Sequence, residues 1–172
     1  MATAAAAVHS AGADVAAKPL AKVDPDKLAG SAVKYLVERK RTCGEAILAA
    51  GCDVLGIRSD LIPDIALGLG CGVGCQGRIC GVVSGGVMVL SLAMARKQPD
   101  YAKRVGPTMT ACGQYFRACF KALGTCNCRK LSGLDLTTPE GRMKLKTSVK
   151  AKVCSKYMDK AARILAEHLN KL

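Results

Sequence analysis

The chain has 172 residues, of which 50% are hydrophobic but only 3% aromatic, and a formal net charge of +13. This length predicts one domain with an apolar core, and the scarcity of aromatic residues argues against a β-sandwich and favours closely packed helices. The basic residues are not interleaved with aromatic ones, so we expect no nucleic-acid partner. The positive charge either solvates the surface or attracts an acidic redox partner protein.

Cysteine is the most over-represented residue, with ten copies in the chain. Disulfide-dense proteins are usually short, secreted and poor in core residues, whereas this chain has enough apolar residues to fold without cross-links. Some cysteines are therefore expected to be small buried hydrophobic residues, Cys52 among them. The others are candidates for metal binding or redox chemistry.

Residues 1–24 are rich in alanine and predict a flexible tail, which leaves residues 25–172 as the cysteine-rich domain. The tail lacks a basic segment followed by a long apolar run, so as written it is not a signal peptide. The sequence leaves the compartment undecided: cytoplasmic as written, or periplasmic if a signal peptide was removed.

Two amphipathic helices are predicted next. Residues 25–40 carry apolar side chains at helical spacing and begin near Asp24 or Asp26 as an N-cap. Residues 41–56 form a second helix that starts near Cys43 and stops at Gly56. A thiol at a helix start can be activated by the positive end of the helix dipole.

Residues 71–86, CGVGCQGRICGVVSGG, hold three cysteines among six glycines. Glycine lets backbones approach a bulky inorganic group or one another, and thiolates are ligands for soft metals. The spacing of Cys71, Cys75 and Cys80 matches no standard metal motif such as CxxC. We interpret this stretch as the centre of the domain and as the start of a redox site.

The flanking segments complete the helical prediction. Residues 59–69 predict a short helix, and residues 81–95 are almost wholly apolar but shorter than the ~20 residues of a membrane span, so they predict a central buried helix. Residues 100–123 predict a long helix with a break near Gly106 and Pro107 as an alternative. A last helix begins with Thr138 as N-cap and Pro139 at its first position. The fold expected is an all-α, single-domain bundle of about five to seven helices with the Gly/Cys-rich segment at its centre.

Four cysteines and their neighbours carry a resemblance to a known family. TCGEAIL surrounds Cys43, CGVVSGG begins at Cys80, CRKLSGLDL begins at Cys128, and VCSKYMDKAARIL surrounds Cys154. In this order they resemble the C-GCAxxG-C-C family of redox-active proteins over about residues 32–167. The CGAxxG element of that family appears here as CGVVSG, with Val82 where alanine is usual.

The resemblance implies a ligand set and a cofactor. A similar domain occurs in split-Soret cytochrome c, where it accompanies haem and is thought to hold an iron–sulfur centre. By resemblance, Cys43, Cys80, Cys128 and Cys154 form a four-cysteine set, the number that a [4Fe-4S] or [2Fe-2S] cluster needs. No CxxCH motif is present, so c-type haem is not expected.

The remaining cysteines depart from the family pattern. Cys71 and Cys75 stand where the family tends to have glycine, and we hypothesise a second cluster or one enlarged cluster that uses Cys71, Cys75, Cys119 and either Cys112 or Cys126. Cys112 and Cys119 are seven residues apart, about 10 Å along a helix, so they cannot form a disulfide with each other. Gly72, Gly81 and Gly85 are expected to admit the cofactor.

The function expected is that of an iron–sulfur protein in electron transfer rather than an enzyme, and a homodimer is predicted because an aromatic-poor helical domain often completes its burial against a second copy. One alternative is metal-free thiol–disulfide chemistry with Cys43 or Cys80 as the reactive thiolate. Another is storage or transport of copper or zinc, which the abundant thiols and methionines would support.

Overall fold

Residues 20–172 are described by a computed structural model, in which helices form nearly all of the regular structure. This part of the chain contains no strand, only an isolated bridge between Ile79 and Asn127. The all-α bundle predicted from the sequence is confirmed. Its α-helices are α1 (Pro25–Val37), α2 (Cys43–Leu55), α3 (Gly81–Lys97), α4 (Tyr101–Leu123), α5 (Cys128–Ser132), α6 (Pro139–Lys144) and α7 (Ser155–Leu169). A short 3-10 helix (Asp64–Leu69) precedes α3, and a π-helix (Leu145–Cys154) joins α6 to α7.

The predicted N-terminal tail lies mostly outside the described residues. Within residues 20–24, Val23 is buried, and its backbone exchanges two hydrogen bonds with the Asn170 side chain, at 2.7 and 2.9 Å. Helix α1 starts at Pro25, directly after Asp24. The Asp24 carboxylate accepts a hydrogen bond from the Asp26 N–H at 2.8 Å. The predicted Asp24 N-cap is therefore confirmed.

Capping residues fix the ends of α2. The Thr42 hydroxyl accepts from the Glu45 N–H at 3.4 Å, and the Glu45 carboxylate accepts from the Thr42 N–H at 2.9 Å, which is a capping box. At the other end Gly56 takes a left-handed conformation with φ 65°, which glycine adopts without a steric penalty. Both ends agree with the predicted helix, and Cys43 is its first residue.

Helices α2 and α3 form the centre of the bundle and pack very closely. A Cβ atom on Gly51 would lie 2.5 Å from Val89, and one on Gly85 would lie 2.7 Å from the Gly44 carbonyl oxygen. Helices α1, α4 and α7 surround this pair. The small residues of α3 thus do what the sequence predicted: they let neighbouring helices approach in a core that has few aromatic side chains.

Helix α4 continues through Pro107, so the alternative prediction of a helix break near Gly106 is wrong. Proline lacks an N–H and leaves a carbonyl group one turn earlier without its helical partner. Gly106, Pro107 and Lys103 are all exposed, so water can bond to that carbonyl group, and the helix need not end there.

Helix α6, the π-helix and α7 follow one another without a gap and form one continuous helical segment. Thr138 caps its start by accepting a hydrogen bond from the Gly141 N–H at 3.1 Å, and Pro139 follows at the first position, as predicted. The π-helical segment has the wider i→i+5 winding, which is rare and frequent at functional sites. It ends at Cys154.

Across residues 20–172, no helix has both the length and the apolar character needed to cross a membrane.

Candidate functional site

Five cysteines line one cavity of about 210 Å³ between the start of α2, the glycine-rich loop, α5 and the π-helix. The walls between the thiols are mainly apolar and include Leu36, Val82, Leu131 and Leu145. The cysteines come from five separate places in the chain: Cys43, Cys71, Cys80, Cys128 and Cys154. The four-cysteine set implied by the family resemblance is therefore brought together at one site, with Cys71 added to it.

Helix starts position three of these thiols. Cys43 is the first residue of α2, Cys80 is the N-cap of α3, and Cys128 is the first residue of α5. Side-chain caps fix two of these starts: Thr42 caps α2, and the Asn127 side chain caps α5 by accepting from the Lys130 N–H at 3.0 Å. Helix α3 has no side-chain cap. Residues at a helix start keep backbone N–H groups free of intrahelical bonds, so these groups can face a negatively charged sulfur.

Backbone pairing between two loops sets Cys80 beside Cys128. The Cys80 N–H donates to the Cys126 carbonyl at 2.8 Å, and the Cys128 N–H donates to the Arg78 carbonyl at 2.6 Å. A third bond runs from the Arg129 N–H to the Gly77 carbonyl at 3.1 Å. These bonds join segments that are far apart in the sequence, and no local pattern predicts them.

The predicted glycines lie where the cavity walls touch. A Cβ on Gly81 would lie 2.5 Å from the Cys43 Sγ, and one on Gly72 would lie 2.7 Å from the Cys128 Cβ. Gly85 is one turn further along α3, against the Gly44 backbone of α2. In the structure these glycines allow the cysteine-bearing backbones to approach closely, and contact with a cofactor stays a prediction.

The loop that carries Cys71 and Cys75 has an unusual backbone. Residues 71–75 all have positive φ values, and among them Cys71 (57°), Val73 (63°) and Cys75 (66°) are not glycine. Each such L-residue costs roughly 1–2 kcal/mol. Strain of this kind persists only where the surroundings enforce it and is concentrated at functional sites.

Proximity and burial raise the pKa values of four cavity thiols, those of Cys43, Cys71, Cys80 and Cys154. The neighbouring Cys80 thiol and then burial raise the pKa of Cys43 well above its ordinary value, and the Cys128 thiol raises that of Cys80. Burial, then Cys43, raises the pKa of Cys154 to about 11. As free thiols these groups are protonated at neutral pH, contrary to the activation that the helix dipole predicted for Cys43, because burial and thiol neighbours outweigh it.

Three basic side chains also line the cavity: Arg142, Lys146 and Lys150. Burial lowers the pKa of Lys150, while Cys43, Cys71, Cys154 and Glu45 oppose this shift, so its ammonium group lies among three of the cavity thiols. These residues were not predicted from the sequence, although they follow one another at a four-residue spacing that leads from Arg142 to Cys154.

The other predicted cysteines lie away from the cavity lining. Cys75 interacts with Cys71 from the outer part of the glycine-rich loop. Cys119 and Cys126 are buried and interact with each other near Tyr115. Cys112 lies against α3, with its thiol 3.8 Å from the Val87 carbonyl oxygen. Within residues 20–172, no three Cys, His, Asp or Glu side chains are arranged to hold a single metal ion.

Comparison with known families gives one match. A family model described as "Putative redox-active protein (C_GCAxxG_C_C)" matches residues 41–168, which is more than half of the chain and includes the five cavity cysteines. Comparisons with curated proteins and with solved structures found no match.

Proposed function

The chain belongs to the C_GCAxxG_C_C family of redox-active proteins, and on that premise we propose that it carries an iron–sulfur cluster on Cys43, Cys80, Cys128 and Cys154 and uses it to transfer electrons. The observation that carries this proposal is the single cavity that all four thiols line together. Four thiolates are the usual ligand number of [2Fe-2S] and [4Fe-4S] clusters.

The chemistry of the cavity fits such a group. It offers sulfur donors, which iron–sulfur clusters require, and its remaining walls combine apolar side chains with Arg142, Lys146 and Lys150. Thiolates and bridging sulfides carry negative charge, and nearby cations compensate it. The cavity of about 210 Å³ that the donors line offers room for a polynuclear group beside the thiols.

The residues around the thiols have separate roles in this proposal. A bound cluster supplies one-electron redox chemistry. The N–H groups of Cys71 and Gly81 face the Cys43 sulfur, and that of Val82 faces the Cys80 sulfur. Such hydrogen bonds to cluster sulfur ligands set the reduction potential. Leu36 and Leu131 restrict the access of water.

Metal-free thiol–disulfide chemistry is the second candidate. The thiols of Cys43 and Cys80 interact directly, as do those of Cys80 and Cys128, so neighbouring thiols are available to form disulfides. Their raised pKa values make them weak nucleophiles, which is why we place this candidate second.

A visible spectrum separates the two candidates. Protein purified without oxygen is expected to show broad visible absorption that dithionite bleaches and that returns on reoxidation. A colourless protein whose thiols pair up on oxidation would support thiol–disulfide chemistry instead. A colourless protein that keeps copper or zinc would support metal storage.

Lys150 is expected to raise the reduction potential. Lys150→Met removes a cation among Cys43, Cys71 and Cys154, so the more negative reduced state loses stabilisation and the midpoint potential falls, on the order of tens of millivolts. Redox titration followed by visible absorbance measures the shift. Lys152→Met, an exposed lysine of the same helix, is the control. Equal shifts in the two variants would contradict a local role for Lys150.

The proposed electron partner has an acidic surface. The chain has a formal charge of +13, and a field of this sign steers acidic proteins toward it. The homodimer expected from the sequence stays a prediction.

A further inference from the structure

Cys71 and Cys75 form a thiol pair that the proposed cluster does not need. Four cavity cysteines already supply the usual four thiolates, and Cys71 is a fifth. Cys75 does not line the cavity, yet it interacts directly with Cys71. Both residues are only half-buried. The pair therefore extends from the cavity wall toward solvent.

The backbone between the two cysteines holds them on one side of the loop. Residues 71–75 have consecutive positive φ values of 56–74°, and the Cys75 N–H donates to the Gly70 carbonyl at 3.4 Å. The segment is therefore a compact left-handed turn. The Cys75 side chain interacts directly with the Cys71 thiol across this turn, and a disulfide forms only between cysteines that lie this close.

Hydrogen bonds hold this strained turn in place. The Gly74 N–H donates to the Gly68 carbonyl at 2.9 Å, and the Gly77 N–H donates to the Cys71 carbonyl at 3.1 Å. Gly72 also packs against the Cys128 side chain and the Arg78 backbone. The turn is thus anchored to the same loops that form the cavity, and the two thiols are held near each other before any reaction.

We propose that Cys71 and Cys75 are a thiol–disulfide exchange site, at the edge of the cavity, whose substrate is an exogenous disulfide of a small molecule or of a partner protein. This site does not depend on the cluster proposed above. Its residues lie outside the four-cysteine set, and its chemistry needs no metal.

The exchange proceeds in two balanced steps. Cys75, which lies away from the cavity, first gives its proton to solvent. The Cys75 thiolate then attacks one sulfur of the substrate disulfide, and the substrate S–S bond breaks. The first substrate thiolate leaves and takes up a proton. Burial and then the neighbouring Cys75 raise the pKa of Cys71 to about 12, so Cys71 gives up its proton only as it attacks the Cys75 sulfur of the mixed disulfide within the same loop. The second substrate thiolate then leaves and takes up a proton. Both cysteine thiols are oxidised to one disulfide, and the substrate disulfide is reduced to two thiols.

Tryptic mapping tests the site without ambiguity. Trypsin cleaves after Arg58 and Arg78, and the peptide of residues 59–78 contains Cys71 and Cys75 but no other cysteine. The full-length reduced protein is incubated with oxidised glutathione without oxygen, alkylated and digested. We expect this peptide to carry no alkyl group and to be two hydrogen atoms lighter than the reduced peptide, which is the mass of an internal disulfide. Two glutathione thiols should be released per chain. A doubly alkylated peptide, or a disulfide from it to another peptide, would overturn the proposal.

Two variants check the order of attack. Cys71→Ser removes the resolving thiol and is expected to trap glutathione on Cys75. Cys75→Ser removes the attacking thiol and is expected to give no internal disulfide in the 59–78 peptide. Cys52→Ser, on α2 and outside this loop, is the control and should still give the internal disulfide. If Cys71→Ser fails to trap glutathione on Cys75, the proposed order is wrong.

Discussion

Cys80→Ser is expected to abolish cluster binding. Cys80 lies between Cys43 and Cys128 and interacts with both thiols, so its loss removes a ligand at the middle of the set. Serine offers an oxygen donor where soft sulfur is required. The loss of affinity should exceed the 10–100-fold that removal of a partner outside the ligand set costs. The measurement is the visible absorbance per chain after anaerobic reconstitution with iron and sulfide.

A matched control separates ligand loss from destabilisation. Cys52→Ser makes the same chemical change at a buried cysteine, 2% exposed compared with 7% for Cys80, and Cys52 is not part of the cavity lining. It should lose stability but keep its visible absorbance. If the two variants retain the same absorbance, Cys80 is not a cluster ligand.

Gly81→Ala is expected to destabilise the fold by about 1–3 kcal/mol, the usual cost of overpacking. The added Cβ would lie 2.5 Å from the Cys43 Sγ and 2.6 Å from the Gly44 backbone nitrogen. Because the second contact is to backbone, α2 and α3 must separate, which moves Cys43 away from Cys80. The free energy of unfolding from urea titration measures the cost, and cluster absorbance should fall with it.

Gly30→Ala is the control for the substitution itself. Gly30 lies inside α1, and a Cβ there would meet no atom within 4 Å. Alanine is favoured over glycine in a helix by about 0.5–1 kcal/mol, so this variant should gain stability. A gain at Gly81 as well would show that α2 and α3 do not need the close contact.

The helices could be predicted because their signals are local. Local residues mark these helix termini: α1 starts after Asp24, α6 starts after Thr138 with Pro139 at its first position, and α2 stops at Gly56. Such capping patterns appear directly in the sequence. Pro107 shows the limit of this approach. Whether a proline breaks a helix depends on the exposure of the freed carbonyl group, which is a property of the packed bundle.

The site could be predicted only in part. Its four-cysteine core came from a family resemblance rather than from spacing, because the bonds that join Cys80 to Cys126 and Cys128 to Arg78 connect distant loops. The grouping of Cys71 with Cys119 in one extra centre remains a hypothesis, and Cys119 is not among the residues that line the cavity. Lys150 was not predicted, because a lysine usually faces solvent and its four-residue spacing from Cys154 points to the cavity only once the π-helix is known.

The central claim is that four cysteines from distant parts of the chain hold an iron–sulfur cluster. The iron and acid-labile sulfide content of anaerobically purified protein tests it most directly. We predict about four of each per chain for a [4Fe-4S] cluster, or about two of each for a [2Fe-2S] cluster. Protein that contains neither iron nor sulfide, and in which all ten cysteines titrate as free thiols, would contradict the claim.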